Sequence, residues 1–283
     1  MEIRNLKNVD IQIIFDAFEQ AFSDYEVEFD KEQVRAMLKR RGFNSELSFA
    51  AFEGHKIISF TLNGVGSYNG VATAYDTGTG TLKAYRGKGM AQEIFKYSIP
   101  YLKEAGIKQY LLEVLQHNPA AISVYTKLGF KITREFNYFR QEKSKVRNEI
   151  RERNCLCKIE PIEVNSILSA SEFCDFYPSW QNSLDSIKRA GDDLVCLGAF
   201  TPSGIVGYCV VEPNSGDLTQ IAVDHPFRRK GVAAYLFEEA LHLVKADIIK
   251  VLNTDISCSS ITSFLQNRNI NVIGRQYEMI NQL

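Results

Sequence analysis

The stretch Arg86-Gly87-Lys88-Gly89-Met90-Ala91 decides how this 283-residue chain is read, because it returns about 140 residues later as Arg228-Arg229-Lys230-Gly231-Val232-Ala233. Each copy lies between a segment patterned as a strand and one patterned as an amphipathic helix. A helix N-terminus carries unpaired N–H groups and about half a positive charge, and successive amides in a turn wrap an anion. Glycine lets the backbone approach closely, while arginine and lysine add charge-assisted hydrogen bonds. One such turn is also an ordinary way to join a strand to a helix. Two turns with the same Arg-x-x-Gly-x-Ala spacing point to a pair of phosphate cradles.

Working outward from the first copy, residues 71–82 are rich in threonine and glycine and read as a strand. Gly78 and Gly80 within it predict a bulge or a close backbone approach. Residues 88–104 place Ala91, Ile94, Phe95, Ser98 and Leu102 on one helix face, and residues 109–115 form the next strand. In the run 118–130, Asn118 is an N-cap, Pro119 fits the first helical position and Gly129 the left-handed position past the end. Residues 131–140 are expected to finish this first sheet. Upstream, a strand at 3–6 precedes a helix over 10–22, with Ile13, Ile14, Ala17, Phe18 and Ala21 on one face. A second helix runs from Asp30 to Arg40, and a hairpin joins 47–52 to 56–63 across Glu53-Gly54-His55.

The second half repeats this order. A strand at 156–159, a helix over 178–189 and a hairpin joining 194–200 to 205–211 lead to a strand at 217–223, a helix over 232–244 and a strand at 248–252. Between the halves, residues 141–153 are dense in charge. The expected organisation is a first domain over 1–142, a charged linker over 143–154 and a second domain over 155–283.

The two cradles, together with Asn118-x-x-Ala121-x-x-x-Tyr125-x-x-x-Gly129-Phe130, resemble the GNAT superfamily of N-acetyltransferases. The resemblance covers nearly the whole chain and implies an α/β (α+β) class, with two tandem domains, each a mixed, mostly antiparallel sheet flanked by helices. It implies acetyl-CoA as cofactor and a small-molecule or peptide amine as acceptor. Its binding residues would be Thr79 and Thr81 through their backbones, with Arg86, Gly87, Lys88, Gly89, Met90, Ala91 and Asn118. In the second copy they would be Arg228, Arg229, Lys230, Gly231 and Ala233. The family's acceptor cleft would lie near the loop carrying Tyr25, Glu26, Glu28 and Phe29, which is equally well read as a solvated acidic loop.

Acetyl transfer from a thioester to an amine needs an anchored coenzyme, a polarised carbonyl, a neutral amine and a proton for the departing thiolate. Tyr125 stands where the resembled superfamily commonly carries the acid. A tyrosine on a short helix beside a sheet is also common core. For the base, Glu113 in the apolar strand Leu111-Leu112-Glu113-Val114-Leu115 is an expensive charge to bury without a partner. Asp76 is its competitor, and Glu113 is slightly favoured.

Continuing the alignment past the second cradle puts Asn253 at Glu113, Cys258 at Asn118, Leu265 at Tyr125, Asn269 at Gly129 and Ile270 at Phe130. The second domain is therefore expected to be degenerate, supporting the first or shaping its acceptor cleft. Two alternatives stay open. One is a non-catalytic acyl-CoA-binding or scaffolding protein; the other is an acyltransferase acting on an alcohol or using a longer acyl group.

Composition excludes other classes. The chain is 45% hydrophobic and 24% charged with a net charge of −1, which fits a globular protein and gives no basic surplus for nucleic acid. Six cysteines, all in the second half and without paired C-x-x-C spacing, are expected as free thiols, and the four scattered histidines suggest no metal site. The absence of a long apolar run or an apolar leader makes the cytoplasm the expected compartment. Oligomeric state is not legible.

Overall fold

Residues 1–24, 30–147 and 157–283 are described in the computed structural model, and they divide into two units. The first comprises Met1–Thr133 and Tyr277–Leu283, the second Arg134–Gln276.

In the first unit, β1 (Glu2–Asn5) leads to α1 (Ile11–Phe22) and α2 (Lys31–Arg41). The Asp10 carboxylate accepts from the Gln12 amide to cap α1. At the start of α2, Asp30 and Gln33 exchange side-chain and backbone bonds as a capping box, and Gly42 ends the helix at φ +79°. The face of α1 turned to the core carries Ile14, Phe15, Ala17, Phe18 and Ala21. Ile13, expected on that face, is exposed, and Phe15 is buried instead.

The strands β2 (Phe49–Glu53), β3 (Lys56–Tyr68) and β4 (Val71–Thr81) form an antiparallel run beside β1. The helix α3 (Met90–Glu104) returns the chain to β5 (Gln109–Leu115), which lies parallel to β4. The short α4 (Pro119–Lys127) follows, and β6 (Lys131–Glu142) then leaves for the second unit.

The β3–β4 register shifts between Leu62↔Gly78 and Asn63↔Asp76, so the bulged residue is Thr77. The glycines beside it serve packing. A Cβ on Gly80 would lie 2.5 Å from the Phe60 ring and 2.9 Å from the Ala21 methyl. Phe60 is fully buried, which is worth about 2 to 3 kcal/mol. Gly80→Ala is therefore expected to destabilise the unit by about 1 to 3 kcal/mol, read as a lower denaturation midpoint.

The second unit contains β7 (Lys158–Pro161), α5 (Val164–Ser169), α6 (Leu184–Ala190), β8 (Val195–Thr201), β9 (Gly204–Glu212), β10 (Asp217–Val223) and α7 (Val232–Leu243). It continues with β11 (Ile248–Asp255), α8 (Ser259–Gln266) and the first half of β12 (Val272–Gln282). The helix expected over 178–189 begins only at Leu184, where the Ser183 side chain accepts from the Ser186 amide. The preceding residues Trp180–Asn182 form a 3-10 turn. The strand order of this unit is β12-β6-β11-β10-β9-β8-β7, with β12 represented by its first half. As in the first unit, the strand before the cradle carries a bulge, here at Thr219 between Leu218↔Val211 and Gln220↔Val210.

The boundary falls differently from the sequence expectation. From Arg134 onward β6 belongs to the second unit, where Asn137, Phe139 and Arg140 pair with Thr254, Val251 and Lys250 of β11. Rather than finishing the first sheet, it joins the second, between β12 and β11. The first sheet is completed instead by the end of β12, next to β5. There the Leu283 amide donates to the Lys108 carbonyl, and Met279 enters a core cluster with Ala74, Phe95, Tyr110 and Phe130. The described part of the expected linker is also tied down within the second unit, since the Lys143 and Arg147 amides donate to the Asp247 and Arg268 carbonyls. Residues 148–154 of that linker lie outside the described residues.

Candidate active site

Both cradles have the same backbone. Gly87 and Gly89 have φ of +75°, and their counterparts Arg229 and Gly231 have φ of +62° and +87°. An arginine thus holds a left-handed conformation that glycine adopts without penalty. Gly89 and Gly231 are the N-cap residues of α3 and α7, and neither helix receives a side-chain cap. In α1, α2, α4 and α6 a side chain fills that role. The first-turn amides behind Met90–Ala91 and Val232–Ala233 are left for another acceptor, as an anion site requires. A Cβ at Gly87 or Gly89 would meet nothing within 4 Å, so the concave side of the turn is open.

The arginines of the motif are engaged within the protein. Arg86 donates from Nε to the Thr81 carbonyl at 3.1 Å, and from Nη2 to the Ala21 carbonyl at 2.9 Å and the Asp24 carboxylate at 2.8 Å. Its hydrogen bonds hold the Asp24 carboxyl down at about 2. Arg228 repeats the arrangement, with Nε to Val223, Nη2 to Phe173 and Nη1 to Asp175 at 2.9, 3.0 and 2.7 Å. Burial pushes Asp175 up, but the Ser260 hydroxyl and the Arg228 guanidinium outweigh it and leave the carboxyl below its usual range. Both arginines therefore fasten the turn to the strand before it and to a segment far upstream. Lys88 and Lys230 lie over the Tyr85 and Phe227 rings, 5.1 and 5.4 Å from their centroids.

Past the cradle strand the sheet opens. The parallel register of β4 and β5 ends at Tyr75↔Leu111, although β4 continues to Thr81 and β5 to Leu115. The edge of β4 over 76–81 that faces the gap is not paired with β5, and it includes the backbones of Thr79 and Thr81.

Asp76 stands at the point of divergence. Its Oδ2 accepts from the Tyr125 hydroxyl at 3.1 Å and from the Thr79 hydroxyl at 2.9 Å. Its Oδ1 is buried without a hydrogen-bond partner. Burial raises the carboxyl to about 6, against the opposing effects of the Thr79 and Tyr125 bonds, the Gly78 amide and the Arg41 charge. Arg41 comes from the last turn of α2 and donates to the Thr77 carbonyl at 3.0 Å.

Glu113 is arranged otherwise. Its Oε2 accepts from the Tyr75 hydroxyl at 3.0 Å. Tyr110, Leu112 and Val114 belong to the core cluster against which Tyr125 packs, so strand alternation turns Leu111 and Glu113 to the other face. Of the three candidate catalytic groups, the structure joins Tyr125 to Asp76 and sets Glu113 apart. Asn118 caps α4 by accepting from the Ala121 amide at 3.1 Å. The loop residues Tyr25, Glu26, Glu28 and Phe29 lie outside the described residues.

The second unit has a cleft of about 570 Å³ beside its cradle, lined among others by Gln220, Arg228, Gly231, Asn253 and Cys258. The β10–β11 register is a single pair, Asp217↔Lys250, so these strands also part. The Leu265–Ile270 turn matches Tyr125–Phe130 closely. Ile270 donates to the Leu265 carbonyl as Phe130 does to that of Tyr125, both at 3.0 Å, and Asn269 has φ +62° where Gly129 has +92°. Leu265, however, is fully buried. Leu218 precedes the bulge where Asp76 does, and Asn253 donates to Ser179 and accepts from Gln276. Phenol and carboxylate are thus replaced by two leucines.

Among the described residues no group of three or more His, Cys, Asp or Glu is placed to hold a metal, and no helix is long and apolar enough to cross a membrane. Five described cysteines are free thiols, and burial pushes Cys196 up to about 11. Cys155 lies outside the described residues.

Residues 12–130 and 164–257 match the acetyltransferase (GNAT) family. Among curated relatives, the N-alpha-acetyltransferase MAK3 of Arabidopsis thaliana is 28% identical over 95 residues, 33% of this chain and 50% of that protein. The mycothiol acetyltransferase of Amycolatopsis mediterranei (strain U-32) is 33% identical over 104 residues, 35% of each. The matches thus span about a third to a half of these relatives' length. Among solved structures, a tandem GNAT protein from the clavulanic acid biosynthesis pathway superposes with a TM-score of 0.74 at 10% identity, covering 99% of this chain and 98% of that one. A GCN5-related N-acetyltransferase from Sphaerobacter thermophilus gives 0.69 at 12% identity, covering 99% and 95%. With both halves matched in sequence and the whole chain matched in fold, the protein belongs to the GNAT acetyltransferase family and carries its fold twice.

Proposed function

We propose that the first unit transfers an acetyl group from acetyl-CoA to a primary amine by direct attack, with Asp76 as base and Tyr125 as acid. The observation that carries this reading is the contact between Tyr125 and a buried aspartate at the mouth of the parted strands. One of the matched relatives is named an N-alpha-acetyltransferase, which supports nitrogen as the acceptor.

The cradle fits a diphosphate, with uncapped first-turn amides and open space above two glycines. Gly87, Lys88, Gly89, Met90 and Ala91 would hold it, and the edge of β4 past Tyr75 would hold the acyl arm. When bound, acetyl-CoA supplies the acetyl group as a thioester.

Asp76 takes a proton from the acceptor's ammonium at Oδ1, leaving a neutral amine whose nitrogen bonds to the carbonyl carbon. As the carbon–sulfur bond breaks, Tyr125 gives its phenolic proton to the sulfur. Asp76 and the acylated nitrogen then each release a proton to solvent and the Tyr125 phenolate takes one back, so that one proton is set free per turnover. With its carboxyl raised to about 6, Asp76 is ionised at neutral pH yet basic enough to act, the compromise expected of a general base.

The pH dependence follows. Below about pH 6 Asp76 holds its proton and cannot accept another, so kcat/KM falls as pH falls through that value. The same raised value means that the folded state binds this proton more tightly than the unfolded chain. The ionised carboxylate therefore lowers stability as pH rises from about 4 to about 6. Asp76→Asn is expected to abolish most turnover, remove the acidic limb and raise the melting temperature at neutral pH. Glu113→Gln should keep the limb. The assay is coenzyme A release from acetyl-CoA with a peptide bearing a free α-amine and a panel of small primary amines. Full activity in Asp76→Asn with loss in Glu113→Gln would transfer the role to Glu113.

In the second unit the cradle and cleft support coenzyme binding, while Leu218 and Leu265 leave no proton acceptor or donor at the corresponding positions. We propose that it binds without transferring.

A further inference from the structure

We propose that the Thr79 hydroxyl is a positioning residue for the reaction, turning the Asp76 carboxylate so that one oxygen serves Tyr125 and the other faces the acceptor. This rests on the reading of Asp76 as the base. The role of Thr79 would then lie in its side chain and not in its backbone alone.

A carboxylate rotates about its last torsion over a broad range, and a base that rotates freely spends little time aligned with its proton. Two donors on one oxygen remove that freedom. Tyr125 and Thr79 reach Asp76 Oδ2 from α4 and from β4 itself, at 3.1 and 2.9 Å. With Oδ2 so held, Oδ1 is fixed as the buried oxygen without a partner.

The Thr79 hydroxyl is itself oriented. Its oxygen lies 3.3 Å from the Thr61 hydroxyl on β3, and Thr61 is buried. A hydroxyl has one proton, and an ionised carboxylate only accepts. The proton of Thr79 therefore goes to Asp76, the nearer and the charged one of its two acceptors. The bulge at Thr77 makes this possible: the extra residue alters the alternation that would otherwise set positions 76 and 79 on opposite faces. In the second unit the bulge recurs at Thr219, with Leu218 before it and Ile221 in the place of Thr79. Aspartate and threonine are thus both present in the first unit and both apolar in the second.

The groups that act on Asp76 are Tyr125 from α4, Thr79 and the Gly78 amide from β4, Tyr110 from β5 and Arg41 from α2, with Tyr75 acting through its charge interaction from the other face of β4. Burial holds the Tyr75 and Tyr110 phenols well above their ordinary range. They stay protonated through the acidic limb. Thr79 is one of the two hydroxyls whose loss would move the limb.

The test compares Thr79→Val, Thr79→Ser and Asp76→Asn in the full chain, with acetyl-CoA and the amine turned over fastest in the panel. Thr79→Val should lower kcat roughly ten- to hundredfold, leave KM for acetyl-CoA within about twofold, and move the acidic limb to higher pH because a bond to the ionised form is lost. Thr79→Ser should restore both. An unchanged kcat in Thr79→Val, with Asp76→Asn inactive, would overturn this inference alone. A fall in kcat with an unmoved limb would also overturn it, since that is the signature of a merely structural threonine. Full turnover in Asp76→Asn would overturn the base assignment and this inference together.

Discussion

Tyr125→Phe is expected to lower kcat by roughly ten- to ten-thousandfold, the range spanned by acid–base catalysis, while acetyl-CoA affinity stays within about twofold. The ring is half-buried and packs edge-on to Phe130 at 5.6 Å between centroids, contacts that phenylalanine keeps. Only the hydroxyl is lost. Its removal takes the proton donor from the leaving sulfur and one of the two hydroxyl donors from Asp76 Oδ2. Because the Tyr125 bond lowers the Asp76 carboxyl, whatever activity remains should show its acidic limb above that of the parent. Steady-state rates across pH, with calorimetric titration of acetyl-CoA, separate the two effects. Full turnover would rule out the acid role. An equal loss in kcat and in coenzyme affinity would assign the phenol to binding instead.

What the sequence made legible was mostly local. A glycine at positive φ, an asparagine cap and a proline at the first helical turn act within a few residues. The cradles and the span of α4 are therefore legible in the residues that form them. Partners far apart in the chain are not. The arginine of each cradle is fastened to an aspartate more than fifty residues earlier, Asp24 for Arg86 and Asp175 for Arg228, and nothing in Arg-x-x-Gly announces that commitment. Which face of the sheet Glu113 and Asp76 each occupy depends on strand register, and the bulge at Thr77 sits where glycines drew attention to Gly78 and Gly80. The exchange of β6 was hidden for a related reason. An alternating strand records which face is buried but not which neighbour it pairs with, so residues 131–140 read equally well as the last strand of either sheet. The final strand, α5 and α8 lay in stretches too short or too weakly patterned to be assigned.

The remaining large effect concerns which cradle serves turnover. Gly89→Glu is expected to reduce coenzyme-dependent turnover at least a hundredfold, because like charges brought together cost several kcal/mol. The space above Gly89 is open, so the new side chain meets no protein clash. It projects instead beside the uncapped amides of α3, where the proposed phosphates lie. Its left-handed backbone, φ +75°, adds about 1 to 2 kcal/mol of strain for any L-residue, and Gly89→Ala measures that part alone. The same change at Gly231 is predicted to leave turnover nearly intact while removing coenzyme from the second unit. Calorimetry on each single variant and on the double variant counts the sites, and coenzyme A release identifies the productive one. The asymmetry follows from chemistry beyond the turns, since a nearly identical backbone leads to Asp76 and Tyr125 in one unit and to Leu218 and Leu265 in the other. Leucine at both of these positions can neither accept the ammonium proton nor protonate the sulfur. If Gly231→Glu abolished turnover and Gly89→Glu spared it, the active site would lie in the second unit, and the Asp76–Tyr125 pair would have to be a structural contact of the first.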